Sequence, residues 1–188
     1  MTSPERHLRA DARRNREALL TAAGELLGER GESVQIEEIA ARAGVGVGTL
    51  YRHFADKDAL IAAIVGRRFA AAADLARAAE ENQDADEAFT ALLTGYLDSV
   101  AGDSAFRRAL LGPEEPRWEA IAPEKNAFRD VVARIVERAV RAGVLRPDFG
   151  TDDFILITRG VMANMDGDED WHRHLLLQLE GVRPAPRG

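Results

Sequence analysis

From Ala12 to Glu180 apolar side chains recur at intervals of three and four residues, and no stretch alternates over the length of a strand. A chain with that single period buries its apolar surface only by packing helix on helix, so the expected fold class is all-α. At 188 residues the chain is long enough for a small head joined to a larger helical unit. The spacing predicts a first helix over about Ala12 to Arg30, with Leu19, Ala22, Ala23, Leu26 and Leu27 on one side and Gly31 just past its end. A second begins near Ile36 and ends at Gly44. Gly44, Gly46 and Gly48 then impose a turn, because each disfavours helix by about 1 kcal/mol relative to alanine. A short third helix carries Thr49 to His53.

Asp56 is a good cap for a fourth helix running to about Glu81, in which Ile61, Val65, Phe69, Ala72, Ala73 and Ala76 repeat. Periodic segments follow over about Asp84 to Val100 and Ser104 to Leu111. Pro113, Pro116 and Pro123 imply a loop from Gly112 to Pro123. A long helix resumes at Glu124, carries Phe128, Val131, Val132, Ile135, Val136, Ala139 and Val140, and closes at Gly143. Thr151 or Asp152 opens the next. Phe154 to Met165 is apolar nearly all round, which requires burial on several sides and makes a subunit interface an economical place for it. The last helix lies near Trp171 to Glu180. The resulting division is a head over 1–55 whose first eleven residues form a flexible arm, a larger unit over 56–181, and a mobile tail over 182–188.

The chain has no cysteine, which excludes disulfide scaffolds, thiolate metal sites and cysteine nucleophiles and fits a reducing cytoplasm. The polar, arginine-rich N-terminus lacks the apolar core of a secretory signal, and the expected localisation is cytoplasmic. The net charge of −7 is unfavourable for binding nucleic acid. Its distribution is less so: Met1 to Asp58 holds nine Lys and Arg against ten Asp and Glu, and the remainder sixteen against twenty-two. Arg6, Arg9, Arg13, Arg14 and Arg16 cluster at the start, as a phosphate-contacting arm or as an ordinary solvated helix face.

The informative block is Ile36-Glu-Glu-Ile-Ala-Ala-Arg-Ala-Gly-Val-Gly-Val-Gly-Thr-Leu-Tyr-Arg-His-Phe54, with Lys57 after it. Ile36, Ile39 and Ala40 face inward from one short helix, Val45 plugs the turn, and Leu50 and Phe54 face inward from the next. Two helices joined by a tight glycine-bearing turn make a helix-turn-helix, whose second member enters the major groove. Thr49, Tyr51, Arg52 and His53 then lie off the buried side, and all four donate to phosphate or base edges. Gly46 and Gly48 let the helix start approach a phosphate closely.

The run from Ile39 to Phe54 with Lys57 resembles the DNA-binding domain of TetR family regulators, over roughly Asn15 to Leu60. The resemblance implies an all-helical homodimer with a three-helix head. Thr49, Tyr51 and Lys57 match positions used for phosphate contacts, and Val47, Gly48 and Arg52 match positions that approach bases. It also implies a small-molecule effector bound among the long helices after the head, and a four-helix dimer interface from the last two. Gln35 departs from the usual Thr or Ser helix cap at a cost of about 1 kcal/mol, Gly46 from a usual Ser, and Val47 from a residue often polar.

Other patterns are set aside. The glycines at 44, 46 and 48 lack the strand and spacing of a nucleotide loop. Asp166, Asp168 and Asp170 start like a calcium loop, but Trp171 and Leu177 stand where Gly and Glu are required. His172 and His174 diverge on a helix and share no tetrahedral metal. Glu114, Glu115 and Glu119 lack a fixed partner for acid–base work and read as solvated loop. No cofactor, metal or enzymatic activity is expected. Phe89, Leu92, Leu93, Tyr96, Phe106, Trp118, Phe128 and Val132 are each read first as core, with some of the set expected to line an effector pocket. Phe154, Ile157, Val161, Met165, Leu175 and Leu179 are expected at the dimer interface. The function these readings converge on is a DNA-binding regulator, a repressor that an effector releases from a palindromic operator by tilting the fourth helix and changing the spacing of the two heads. The alternative is a helical small-molecule-binding protein or enzyme without DNA-binding activity.

Overall fold

The computed structural model describes residues 4–112, 116–167 and 170–184. Among them every regular element is helical: α1 (Pro4–Arg30), α2 (Ile36–Arg42), α3 (Val47–His53), α4 (Lys57–Glu80), α5 (Ala85–Ala101), α6 (Ser104–Leu111), α7 (Ala122–Arg141), α8 (Thr151–Met162) and α9 (Trp171–Val182), with short 3-10 turns at Gly31–Ser33 and Pro116–Ile121. None of these helices is long and apolar enough to cross a membrane.

Two compact units divide the chain within α4. Residues up to Gly66 group with the 3-10 turn at Pro116–Ile121, and residues from Arg67 group with α5 to α9. The boundary lies inside the fourth helix rather than at 55/56. In the first unit, Leu19, Ala23, Val34, Ile39, Leu50, Phe54 and Leu60 are almost fully buried and form its core. Gly31 ends α1 with a φ of +64°, where glycine meets no Cβ penalty.

Three expectations need correction. α1 begins at Pro4, so residues 4–11 are helix and not a flexible arm; proline is favoured in a first helical turn, and Asp11 accepts from Arg14 one turn on. The expected loop from Gly112 to Pro123 holds a 3-10 turn, and α7 already starts at Ala122, with Pro123 in its first turn where no partner for its missing N–H is needed. α9 extends to Val182, which is buried, so this residue does not belong to a mobile tail. Residues 185–188 lie outside the described residues, as do Glu114, Glu115 and Asp168.

The second unit is organised by aromatic rings. Phe106 meets Phe69 edge-on with centroids 5.4 Å apart, Phe69 meets Phe128 at 6.2 Å, and Phe128 meets Tyr96 at 4.9 Å. Tyr96 meets Phe154 at 6.2 Å, Phe154 meets Phe89 at 6.5 Å, and Phe89 meets Phe149 at 5.9 Å. This chain of seven rings joins α4, α5, α6, α7 and α8, each pair adding about 0.5 to 1.5 kcal/mol beyond area burial. Several helix ends are closed locally. Asp84 accepts from the amides of Asp86 and Glu87; Gly143, with a φ of +72°, lets the Val144 amide reach Ala139 O at 2.9 Å. The buried Arg107 donates to Val100 O at 3.1 Å and Ala101 O at 3.2 Å, closing α5, and pairs with Asp166.

Candidate nucleic-acid interface

The turn between α2 and α3 follows from one glycine. Gly44 has a φ of +69°, which brings the Val45 amide to Ala40 O at 3.0 Å and its own amide to Ala41 O at 3.1 Å, and so closes α2. The chain re-enters helix through Gly46 in extended conformation, whose carbonyl accepts from Thr49 and Leu50. Neither Gly46 nor Gly48 has a positive φ, and a Cβ on either would meet nothing within 4 Å. The fold of the subunit therefore does not require glycine at these two positions.

α2 begins at Gln35 without a side-chain cap, as its long side chain implies, but the end is not left bare. Glu38 accepts from the Gln35 amide at 2.9 Å and holds Arg30 through both of its oxygens, at 2.9 and 2.8 Å. The Gln35 amide first, and the Arg30 guanidinium second, hold the Glu38 carboxyl below its ordinary value. This clamp from the end of α1 to the start of α2 has no motif signature, and the spacing of eight residues gives it none.

α3 buries Leu50 completely and turns its other sides outward. Tyr51 is 50% exposed, Arg52 and Gly48 are exposed, and Val47, Thr49, His53 and Lys57 are half-buried. The Arg52 Nε donates back to Gly48 O at 3.2 Å, so its guanidinium lies along its own helix. Lys57 opens α4, whose start is capped by Asp56 accepting from the Ala59 amide at 2.7 Å. Thr49, Tyr51, Arg52, His53 and Lys57 thus offer donors from one short helix and the first turn of the next, beside open glycines at the helix start, where free amides favour an anion.

Two features here have no counterpart in the motif. The Arg16 guanidinium lies over the ring of Phe54, 5.3 Å from its centroid, so α1 covers the residue that ends α3. Arg6, Arg9 and Arg13 continue along the same helix, exposed; their spacing is legible once the helix is known to reach them.

The expected pocket residues are mostly core. Phe89, Leu92, Leu93, Tyr96, Phe106, Phe128 and Val132 are buried in the second unit, whereas Trp118 belongs to the first. Phe89 and Leu93 border an apolar slot with Phe149, Phe154, Ile157, Gln178, Leu179 and Val182, too tight to admit a water molecule. An open cleft of about 320 Å3 is lined instead by Glu80, Arg134, Glu137, Arg138 and Arg141. Burial pushes the Tyr96 phenol well above its ordinary value. Among the described residues no group of three or more His, Cys, Asp or Glu is arranged to hold a metal.

The expected interface residues separate into two sets. Phe154, Val161 and Leu175 are buried inside the subunit, because they are the inward stripe of α8 and α9, and they present nothing to a partner. Ile157, Met165 and Leu179 are half-buried. On α8 and α9, the large apolar side chains left in the open among the described residues are Leu156 at 70% exposure, Leu176 at 62% and Leu177 at 60%. α8 is therefore buried on one face of the subunit rather than on several.

Residues 19–64 match the model of bacterial regulatory proteins of the tetR family, and residues 84–184 match the C-terminal domain of SbtR-like transcriptional regulators. The HTH-type transcriptional regulator UidR of Escherichia coli strain K12 is 27% identical over 177 residues, covering 87% of this chain and 87% of that protein. The HTH-type transcriptional regulator SAR0097 of Staphylococcus aureus is 42% identical over 71 residues, and this chain spans 37% of its length. Among solved structures, a TetR transcription regulatory protein from Mycobacterium vanbaalenii is 30% identical, covers 94% of this chain and 99% of its own, and superposes with a TM-score of 0.65.

Proposed function

The chain belongs to the TetR family of transcriptional regulators, and on that premise we propose that it is a cytoplasmic, homodimeric repressor, released from a palindromic operator by a small-molecule effector. One observation carries the DNA contact: α3 sinks Leu50 into the core and leaves Gly48, Tyr51 and Arg52 exposed, with no bulk at Gly46 or Gly48 to hold a duplex away. In this reading Thr49, Tyr51 and Lys57 bind phosphates, while Val47, Gly48 and Arg52 meet base edges, with His53 beside them. Arg52 leaves Gly48 O to do so. Val47 suits a thymine methyl.

The dimer forms through α8 and α9. Leu156, Leu176 and Leu177 supply its apolar contacts, with Ile157, Met165 and Leu179 at their side. The effector is apolar and enters the second unit by parting the packed rings around Phe89, Leu93, Tyr96 and Phe128, since the slot bordered by Phe89 and Leu93 holds no room beforehand. Parting the ring chain displaces Phe69 and with it α4, the helix both units share, and changes the spacing of the paired heads; half-sites about one helical turn or a multiple apart tolerate little such change.

Fluorescence anisotropy against the region upstream of the protein's own gene tests the DNA contact, using Tyr51→Phe and Lys57→Ala singly and together. Loss of affinity in each single variant, deeper in the double, is the expected result; undiminished binding by both overturns the assignment of these contacts.

A further inference from the structure

We propose that the first turns of α1 are a second DNA contact, an arginine rail of Arg6, Arg9, Arg13 and Arg16 that runs from the reading helix along the phosphate backbone flanking the half-site. The inference rests on the DNA-binding reading above and extends the interface beyond the helix-turn-helix.

Because α1 is helical from Pro4, the intervals of three, four and three residues place all four guanidinium groups within roughly 80° of arc on one side of the helix. All four are exposed. None of them forms an ion pair with a carboxylate among the described residues, whereas Arg14, off the stripe, pairs with Asp11. His7 reaches the same carboxylate at 3.8 Å. Residues 4–17 carry five arginines against Glu5, Asp11 and Glu17, in a chain whose net charge is −7. Among the described residues this stripe therefore gathers positive charge with no carboxylate paired to it, and Glu17 lies at its inner edge.

Its position is fixed by Arg16, whose guanidinium covers Phe54 at the end of α3. The rail therefore starts where the reading helix stops. From Arg6 to Arg16 it spans about 15 Å at roughly 1.5 Å per residue. Each DNA strand presents a phosphate about every 3.4 Å along the axis, so four cations over that length match about four phosphates.

The rail also accounts for a helical stretch whose described residues are little buried in the subunit. Leu8 is 68% exposed, and among the described side chains of α1 the first buried one is Leu19. An isolated helical stretch of about a dozen residues is marginal in water. A line of phosphates against one side supplies the missing partner.

The test uses the full chain and a duplex from the region upstream of its own gene, with affinity measured by anisotropy between about 50 and 200 mM salt. Wild type is compared with the triple variants Arg6→Gln/Arg9→Gln/Arg13→Gln and Arg6→Lys/Arg9→Lys/Arg13→Lys. The Gln variant is expected to flatten the slope of log K against log salt by about 2.7 per bound subunit, from about 0.9 per lost phosphate contact, and to bind on the order of tenfold or more weakly. The Lys variant keeps the wild-type slope, and trimming the duplex to the half-sites abolishes the difference. A Gln variant with the wild-type slope on a duplex that wild type binds overturns the rail and leaves the helix-turn-helix reading intact. Failure of wild type to bind any such duplex overturns both.

Discussion

Glu38 grips Arg30 through two charge-assisted hydrogen bonds of 2.9 and 2.8 Å while also accepting from the amide of Gln35. One carboxylate thereby closes the open start of α2 and fastens it to the end of α1. Its pKa is lowered in the folded head, by the Gln35 amide and then by Arg30. A depressed carboxylate contributes stability that is complete above its ordinary value of 4.5 and fades as pH falls through the lower folded value. Glu38→Gln is therefore expected to lower the melting temperature at neutral pH, with the difference from wild type shrinking below that range. Thermal melts across the acid range check it; a constant difference contradicts the clamp.

Gly48 separates stability from recognition. A Cβ there meets open space within the subunit, so Gly48→Ala is expected to stabilise α3 by up to about 1 kcal/mol. The same methyl stands between the helix start and the duplex, and operator affinity falls. Paired melts and anisotropy on one variant give the readout.

The ring chain through α4 to α8 is held by its interior members. Phe128 touches both Phe69 and Tyr96, and Phe128→Ala is expected to cost about 3 to 5 kcal/mol in chemical denaturation. Tyr96, held neutral by burial, has its pKa raised above its ordinary value of 10.0. Its contribution is complete below that value and is lost as pH rises toward the folded value, so Tyr96→Phe removes an alkaline loss of stability that wild type shows.

For the proposed dimer, Leu176→Glu is expected to give folded monomers, because that side chain is 62% exposed in the subunit. Val161→Glu, at a position with no exposure, unfolds the second unit instead, since it buries an unpaired charge. Light scattering with circular dichroism tells the outcomes apart; a Leu176→Glu dimer of unchanged mass contradicts the assigned face.

The helix-turn-helix was legible because its information is local. Gly44 at a positive φ, Leu50 and Phe54 inward, Asp56 as a cap: each is set by neighbours within a few residues. α6 follows for the same reason, with Asp103 accepting from the Phe106 amide at its start. What periodicity cannot supply is which apolar residue faces which neighbour. Phe154, Val161 and Leu175 share the helical spacing of Ile157 and Leu179, yet only packing among α5, α8 and α9 decides that the first three turn inward. The start of α1 escaped because Pro4 to Asp11 has no apolar stripe; its helix shows as a stripe of arginines. The Arg30 to Glu38 clamp and the Arg107 link to Asp166 join residues too far apart in sequence for any motif to relate them.

The central claim is that α3, presented twice by a dimer, reads a duplex. A hydroxyl-radical footprint of wild type on its own upstream region is the most direct measurement of it. Two protected patches centred about 10 to 10.5 base pairs apart, or a multiple of that, and lost together in the Tyr51→Phe/Lys57→Ala variant, are the predicted result. A single patch, or paired patches that survive the double substitution, would contradict it.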